Sequence, residues 1–251
     1  MEPDNLREVN MVTALTAAAV AASATHLAAC GLGLQKLRRG TKLLLMPLIA
    51  ALYCAMARSP SPVVLGAMFC GWAGDFFMIY KHREAFLGAG MAAFGLGHIL
   101  YVAHIGVLAA AAQPVSDKRI AGCLAAAGKG YAMLLRLLLT VEVLFLLTIA
   151  ILAVALCIFF VLRRRIPKAL RLPGLLYGLL LASLGSAAFI GLRAGAPGAG
   201  FLLAGGCLFL CSDGILAFET FRDGDSNAAD VAVMLTYIAA QALLAVGFAA
   251  G

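Results

Sequence analysis

Apolar stretches about the length of a membrane crossing recur along the chain, separated by short polar breaks. A helix needs about 20 apolar residues to cross roughly 30 Å of hydrocarbon. On that rule the pattern predicts eight spans, at about 11–34, 42–57, 62–80, 86–112, 139–162, 172–192, 197–219 and 230–250. Pro47, Pro60, Pro62, Pro167, Pro173 and Pro197 fall at or near these ends, as helix punctuation should. Residues 116–138 break the pattern. With Lys118, Arg119, Lys129 and Arg136 among apolar residues, the segment is too polar for a span and reads as an interfacial amphipathic helix or a long loop. The expectation is an all-α, polytopic transmembrane helix bundle forming one integral membrane domain over residues 1–251, without a tandem repeat or a soluble domain.

Composition strengthens this reading. The chain is 63% hydrophobic and 12% charged, where a soluble domain carries about a quarter charged residues. The net charge of +7 does not imply a nucleic-acid partner, because the basic residues sit at the ends of apolar runs, where they orient the chain and meet lipid headgroups. An acidic start (Glu2, Asp4, Glu8) leading directly into a full-length span predicts no cleavable signal peptide. The seven cysteines form no CxxC and nearly all lie in apolar runs, so they read as small apolar residues, not as a disulfide or zinc framework. Lysines and arginines concentrate in the first, third, fifth and seventh connections, including Lys36, Arg38, Arg39, Lys81, Arg163, Arg164, Arg165 and Arg222. That side is expected to be cytoplasmic.

Two acids stand out against the apolar background: Asp75 in Gly71-Trp72-Ala73-Gly74-Asp75, and Asp213 in Cys211-Ser212-Asp213-Gly214. A charged group in hydrocarbon costs several kcal/mol and marks a functional site by default. The third and seventh spans run in the same direction. Asp75 precedes Tyr80 by five residues and Asp213 precedes Glu219 by six, which puts both roughly 8–9 Å inside the same membrane face. Gly71, Gly74, Gly205 and Gly206 would let the two helices approach closely. On the fourth span Phe86, Gly90, Phe94, His98 and Tyr101 recur at three- or four-residue steps and so share a face. Tyr237 and Gln241 lie one turn apart on the eighth span, and Tyr177 opens the sixth. For His98 and Gln241 the plain alternative is interhelical hydrogen bonding; for the aspartates it is helix pairing or a cation site. His98 and His104 are six apart and face different directions, which argues against a metal site.

These residues also resemble a known family. Gly74-Asp75-Phe76-Phe77-Met78, the Phe86-to-Tyr101 stripe, Leu175-Leu176-Tyr177, Ser212-Asp213-Gly214-Ile215-Leu216-Ala217-Phe218 and Thr236-Tyr237-Ile238-Ala239-Ala240-Gln241 are similar, in order and spacing, to the lysoplasmalogenases, the YhhN-like membrane proteins. The resemblance covers about residues 40–248, and the length and Ser-Asp-Gly wording suggest the animal branch, which resides in the endoplasmic reticulum. There are two departures. The family's lysine and proline in the second span lie close together, whereas Lys42 and Pro47 are five apart, so no role is carried over to Lys42. Residues 116–138 look like an insertion. The resemblance implies hydrolysis of the vinyl ether of lysoplasmalogens to a fatty aldehyde and glycerophosphocholine or glycerophosphoethanolamine. It also implies Asp75 and Asp213 as catalytic residues and no metal or other cofactor.

The chemistry fits the residues independently. A vinyl ether is cleaved by protonating its outer carbon, after which water adds to the oxocarbenium ion. A proton donor, a cation-stabilising group and a held water are needed, and two carboxyl groups in different protonation states supply them. Ser212, His98, Tyr101, Tyr177, Tyr237 and Gln241 are candidates to position water or bond the carboxylates, and Lys81, Arg83 and Arg222 to meet the headgroup phosphate. The expected partners are the lysolipid substrate and the surrounding bilayer; oligomeric state is not legible. The rival readings are a proton-coupled transporter relaying through the same aspartates, a zinc-dependent lipid amidase, and a non-enzymatic lipid-binding protein. The residues alone lead to a membrane hydrolase or transporter; the resemblance selects lysoplasmalogenase.

Overall fold

A computed structural model describes residues 3–126, 153, 156–157, 160–221 and 226–251. Among the described residues, seven long helices carry the fold: α1 (Pro3–Gly31), α2 (Gln35–Met56), α3 (Pro62–Met78), α4 (Glu84–Ala126), α5 (Lys168–Ala194), α6 (Ala199–Thr220) and α7 (Asn227–Ala249). No strand occurs among the described residues. Among the described residues, six helices are long and apolar enough to cross a membrane: α1, α2, α4 over Glu84–Ala112, α5, α6 and α7. The seventh, α3, has 17 residues, and i→i+3 backbone bonds at Ile79, Tyr80 and Lys81 extend it by a tight turn. The protein is thus a multi-pass helical membrane bundle. The span expected at 139–162 falls largely outside the described residues. α4 continues past its crossing to Ala126, which makes the first part of the 116–138 segment helical; residues 127–138 are outside the described set.

Local chemistry explains the helix ends. Pro62 opens α3 at a first-turn position, where its missing N–H is not needed. Gly195, in the left-handed region, closes α5 by donating its N–H to the Gly191 and Leu192 carbonyls. The Ser226 hydroxyl accepts from the Ala229 N–H and caps α7.

Helices α2 to α7 pack successively, α7 returns to α2, and α1 lies outside against α2 and α7. This ring buries Tyr53, Tyr101, Leu184, Leu202, Phe209 and Leu244 inward. Phe69, Val107, Leu172 and Leu235 point outward, as apolar residues do when lipid is the solvent. The glycines expected to join the two aspartate helices have other partners. Gly74 lies under the Phe94 ring of α4, Gly71 meets Met46 of α2 and Gln241 of α7, Gly205 meets Ala240 and Leu244 of α7, and Gly206 meets Gly185 of α5. Close packing is used to draw each aspartate helix against its ring neighbours, and the aspartates face one another across an interior space.

The basic end of the bundle is pinned twice. The Thr41 hydroxyl donates to the Leu37 carbonyl, so buried His26 donates from Nδ1 to the Thr41 oxygen at 2.8 Å and ties α1 to α2. The Arg38 guanidinium donates through both Nη atoms to the two Asp230 oxygens and ties α2 to α7.

Candidate active site

Asp75 is 1% exposed. Its Oδ2 accepts from the Tyr237 hydroxyl at 2.6 Å, and its Oδ1 lies 3.3 Å from the Lys42 ammonium. Asp213 accepts a hydrogen bond from the Tyr177 hydroxyl and has no cation in salt-bridge contact among the described residues. The two acids therefore have unlike surroundings: each accepts from a tyrosine hydroxyl, but only Asp75 also has a lysine in salt-bridge contact among the described residues.

The position of Lys42 follows from a proline. Pro47 has no N–H, so the Leu43 carbonyl one turn earlier in α2 loses its helical partner. The Trp72 indole N–H of α3 takes that carbonyl at 3.0 Å. The clasp fixes α2 against α3 one residue after Lys42 and one turn before Asp75. Trp72→Phe should lower bundle stability by about 1 kcal/mol, because the part-buried carbonyl is left without a donor. Thermal unfolding in detergent checks this against lipid-facing Phe69→Leu, which should change little.

Three cavities follow one another along the site. A cavity of about 130 Å³ between α4, α5 and α6 is walled by Leu87, Met91, Leu162, Ile166, Leu181 and Leu210, with Tyr177 and Asp213 at its polar side. Next to it, a chamber of about 50 Å³ holds Asp75, Asp213, Lys42, Ser212 and Tyr237. Met78, Phe94, Asp213 and Leu216 belong to both walls. Beyond lies a polar vestibule of about 110 Å³ with Gln35, Arg38, Arg39, Lys81, His82 and Asn227, sharing Arg38, Lys42, Lys81 and Asp230 with the chamber. The order is apolar, mixed in charge, basic. The middle chamber is large enough for a water.

The other predicted residues divide. Tyr177 and Tyr237 bond directly to the two aspartates. Ser212 is buried beside them, but its hydroxyl donates to the Val233 carbonyl at 3.0 Å, which commits it to joining α6 and α7. His98 donates from Nδ1 to the Phe94 carbonyl at 2.7 Å, leaving Nε2 as a buried acceptor with no hydrogen-bond partner among the described residues. Its ring meets Phe209 and Tyr177 with centroids 4.7 and 5.9 Å apart. Tyr101 lies a turn farther in, donating to Gln241 Oε1 at 3.4 Å and stacking on Phe248. Phe94, Phe209 and Tyr237 meet edge to face and separate the chamber from this deeper layer. Lys81 lines both chamber and vestibule, Arg83 is exposed, and Arg222 lies outside the described residues. Sequence reasoning missed Lys42, Arg38 and Asp230. Their signal was weak: lysine, arginine and aspartate at the ends of apolar runs look like orientation and loop residues.

Among the described residues no group of three or more His, Cys, Asp or Glu side chains is placed to hold a metal ion. Comparison with curated proteins and with solved structures found no match. Residues 89–155 match the stage III sporulation protein AE family. Residues 136–248 match the YhhN family, a stretch that contains Tyr177, Ser212, Asp213, Tyr237 and Gln241 and leaves Lys42, Asp75, His98 and Tyr101 outside it.

Proposed function

We propose that this protein is a lysoplasmalogenase, hydrolysing the vinyl ether of 1-alkenyl-glycerophospholipids to a fatty aldehyde and a glycerophospho-base. The observation that carries the reading is the position of Asp213, on the wall between an apolar cavity and a polar chamber that also holds the Lys42–Asp75 ion pair. An amphiphile with its tail in the first cavity presents its tail-side alkene carbon to Asp213. Its oxygen-bearing carbon then lies on the Asp75 side.

The roles follow from that order. The Asp213 carboxyl donates its proton to the tail-side carbon, and the alkene π electrons form the new C–H bond. Positive charge develops on the oxygen-bearing carbon and its ether oxygen, where the Asp75 carboxylate stabilises it. Water adds to that carbon and gives a proton to Asp75, forming a hemiacetal. The hemiacetal hydroxyl returns a proton to Asp213 as the C–O bond to glycerol breaks, and Asp75 protonates the departing alkoxide. Both carboxyl groups end as they began. Tyr177 and Tyr237 hold them in place, and the Lys42 ammonium lies beside Asp75 where its carboxylate is regenerated. Resemblance to the animal branch carries the expectation of the endoplasmic reticulum membrane, and the lysine and arginine bias that of a cytoplasmic basic end.

The test uses purified protein and 1-alkenyl-lysophosphatidylethanolamine in D₂O. Expected is release of aldehyde carrying one deuterium on the carbon next to the carbonyl, with the 1-acyl analogue left intact. Absence of aldehyde from the folded protein would exclude the reading.

A further inference from the structure

The basic vestibule has more positive charge than its own carboxylates neutralise. Arg38 is paired with Asp230 and Lys42 with Asp75. Arg39 and Lys81, on the same walls, form no salt bridge among the described residues. Hydrogen-bonding side chains stand beside them in Gln35, His82 and Asn227. Lysines and arginines that only orient a membrane protein point toward the bilayer surface. Here they line a concave space that shares a wall with the carboxylate chamber. Two cations without a salt bridge, facing a concave polar space, call for an anion.

We propose that the vestibule is a phosphodiester site, with Arg39 and Lys81 as its charged contacts and Arg38, fixed by Asp230, as its inner edge. The site rests on the lysoplasmalogenase reading for its occupant. A lipid whose ether lies between the aspartates has its phosphate three glycerol carbons farther along, in the direction of the vestibule. The headgroup phosphate of the lysolipid is then held at one end and the tail at the other, which brings the alkene into register with Asp213. The released glycerophosphodiester keeps the same contacts, so it competes with substrate.

Direct binding separates this proposal from catalysis. The probe is 1-O-alkyl-lysophosphatidylethanolamine, whose saturated ether is not hydrolysed, compared with 1-O-alkylglycerol, which has the same tail and no phosphate. The expected result is tighter binding of the phospholipid, lost by about tenfold or more in Arg39→Gln/Lys81→Gln and weakened by salt. Binding of the alkylglycerol should be unchanged. Arg58→Gln, at the opposite end of α2, should alter neither. Glycerophosphoethanolamine should displace the phospholipid more effectively than inorganic phosphate. Equal affinity for the two ethers, or an unaffected double variant, would overturn the site. Displacement by inorganic phosphate as effective as by the glycerophosphodiester would overturn its assignment to a phosphodiester. Because no turnover is read, a protein that binds the phospholipid through these residues but releases no aldehyde fails as an enzyme and still passes this test. Should the double variant melt below the working temperature, each single variant carries the same comparison.

Discussion

Asp213→Asn is expected to lower kcat for vinyl ether hydrolysis by about a thousandfold, within the range that a positioned general acid supplies, with KM nearly unchanged. Asparagine keeps the shape of the carboxyl group and still accepts the Tyr177 hydroxyl, so tail and headgroup contacts survive. What it cannot do is give a proton to an alkene carbon. Asp75→Asn should reduce kcat to a similar extent for a different reason: the developing cation loses its anionic partner. That variant also leaves Lys42 facing a neutral amide at 3.3 Å from the former carboxylate position. Removing one member of a buried ion pair destabilises by about 3–5 kcal/mol. Asp213→Asn is therefore the cleaner experiment. Aldehyde release and thermal unfolding measured on the same preparation should show a catalytic loss without a large drop in Tm. A folded Asp213→Asn protein that keeps more than about a tenth of wild-type kcat is inconsistent with general-acid catalysis by Asp213.

The contrast between the two acids explains what could be read in advance. An acid in an apolar run is conspicuous in any hydropathy pattern, and the fixed rise of a helix gives its depth. Asp75 and Asp213 were visible for that reason. The Phe94–His98–Tyr101 face was visible through its three- and four-residue spacing, and all three side chains are buried. Lys42, Arg38 and Asp230 were not, because in sequence each is one more charged residue at the end of a span. What gives them a site is tertiary: Pro47 frees the Leu43 carbonyl and Trp72 binds it, aligning Lys42 with Asp75. The glycines were recognised as close-packing residues, but small size does not name the partner. Gly74 under Phe94 and Gly206 against Gly185 show neighbours set by the order of the whole ring. Long polar side chains and helix adjacency are the two things that one-dimensional periodicity leaves open.

Gly198→Ala is the substitution expected to damage the fold most. Gly198 caps the start of α6 with φ of +70°, a left-handed conformation that costs a residue with a Cβ about 1–2 kcal/mol. A Cβ at this position would also lie 2.0 Å from the Gly247 carbonyl oxygen and 2.8 Å from its carbon. Those are backbone atoms of α7, so no side-chain rotamer relieves the overlap. α6 must shift away from α7, adding about 1–3 kcal/mol of overpacking cost. The summed loss of about 2–5 kcal/mol is a large fraction of the stability of an ordinary protein. Gly200 provides the control. It lies two residues along in α6 with negative φ, and a Cβ there meets nothing within 4 Å. Gly200→Ala should be neutral or slightly stabilising, since alanine is the better helix residue. Equal melting temperatures for the two variants in detergent would mean that α6 and α7 are not in backbone contact at this end. Activity adds a second readout, because α6 carries Asp213 and α7 carries Tyr237. A Gly198→Ala protein that folds with α6 displaced should lose alignment of Asp213 with Asp75, and its kcat should fall although no residue of the chamber has changed.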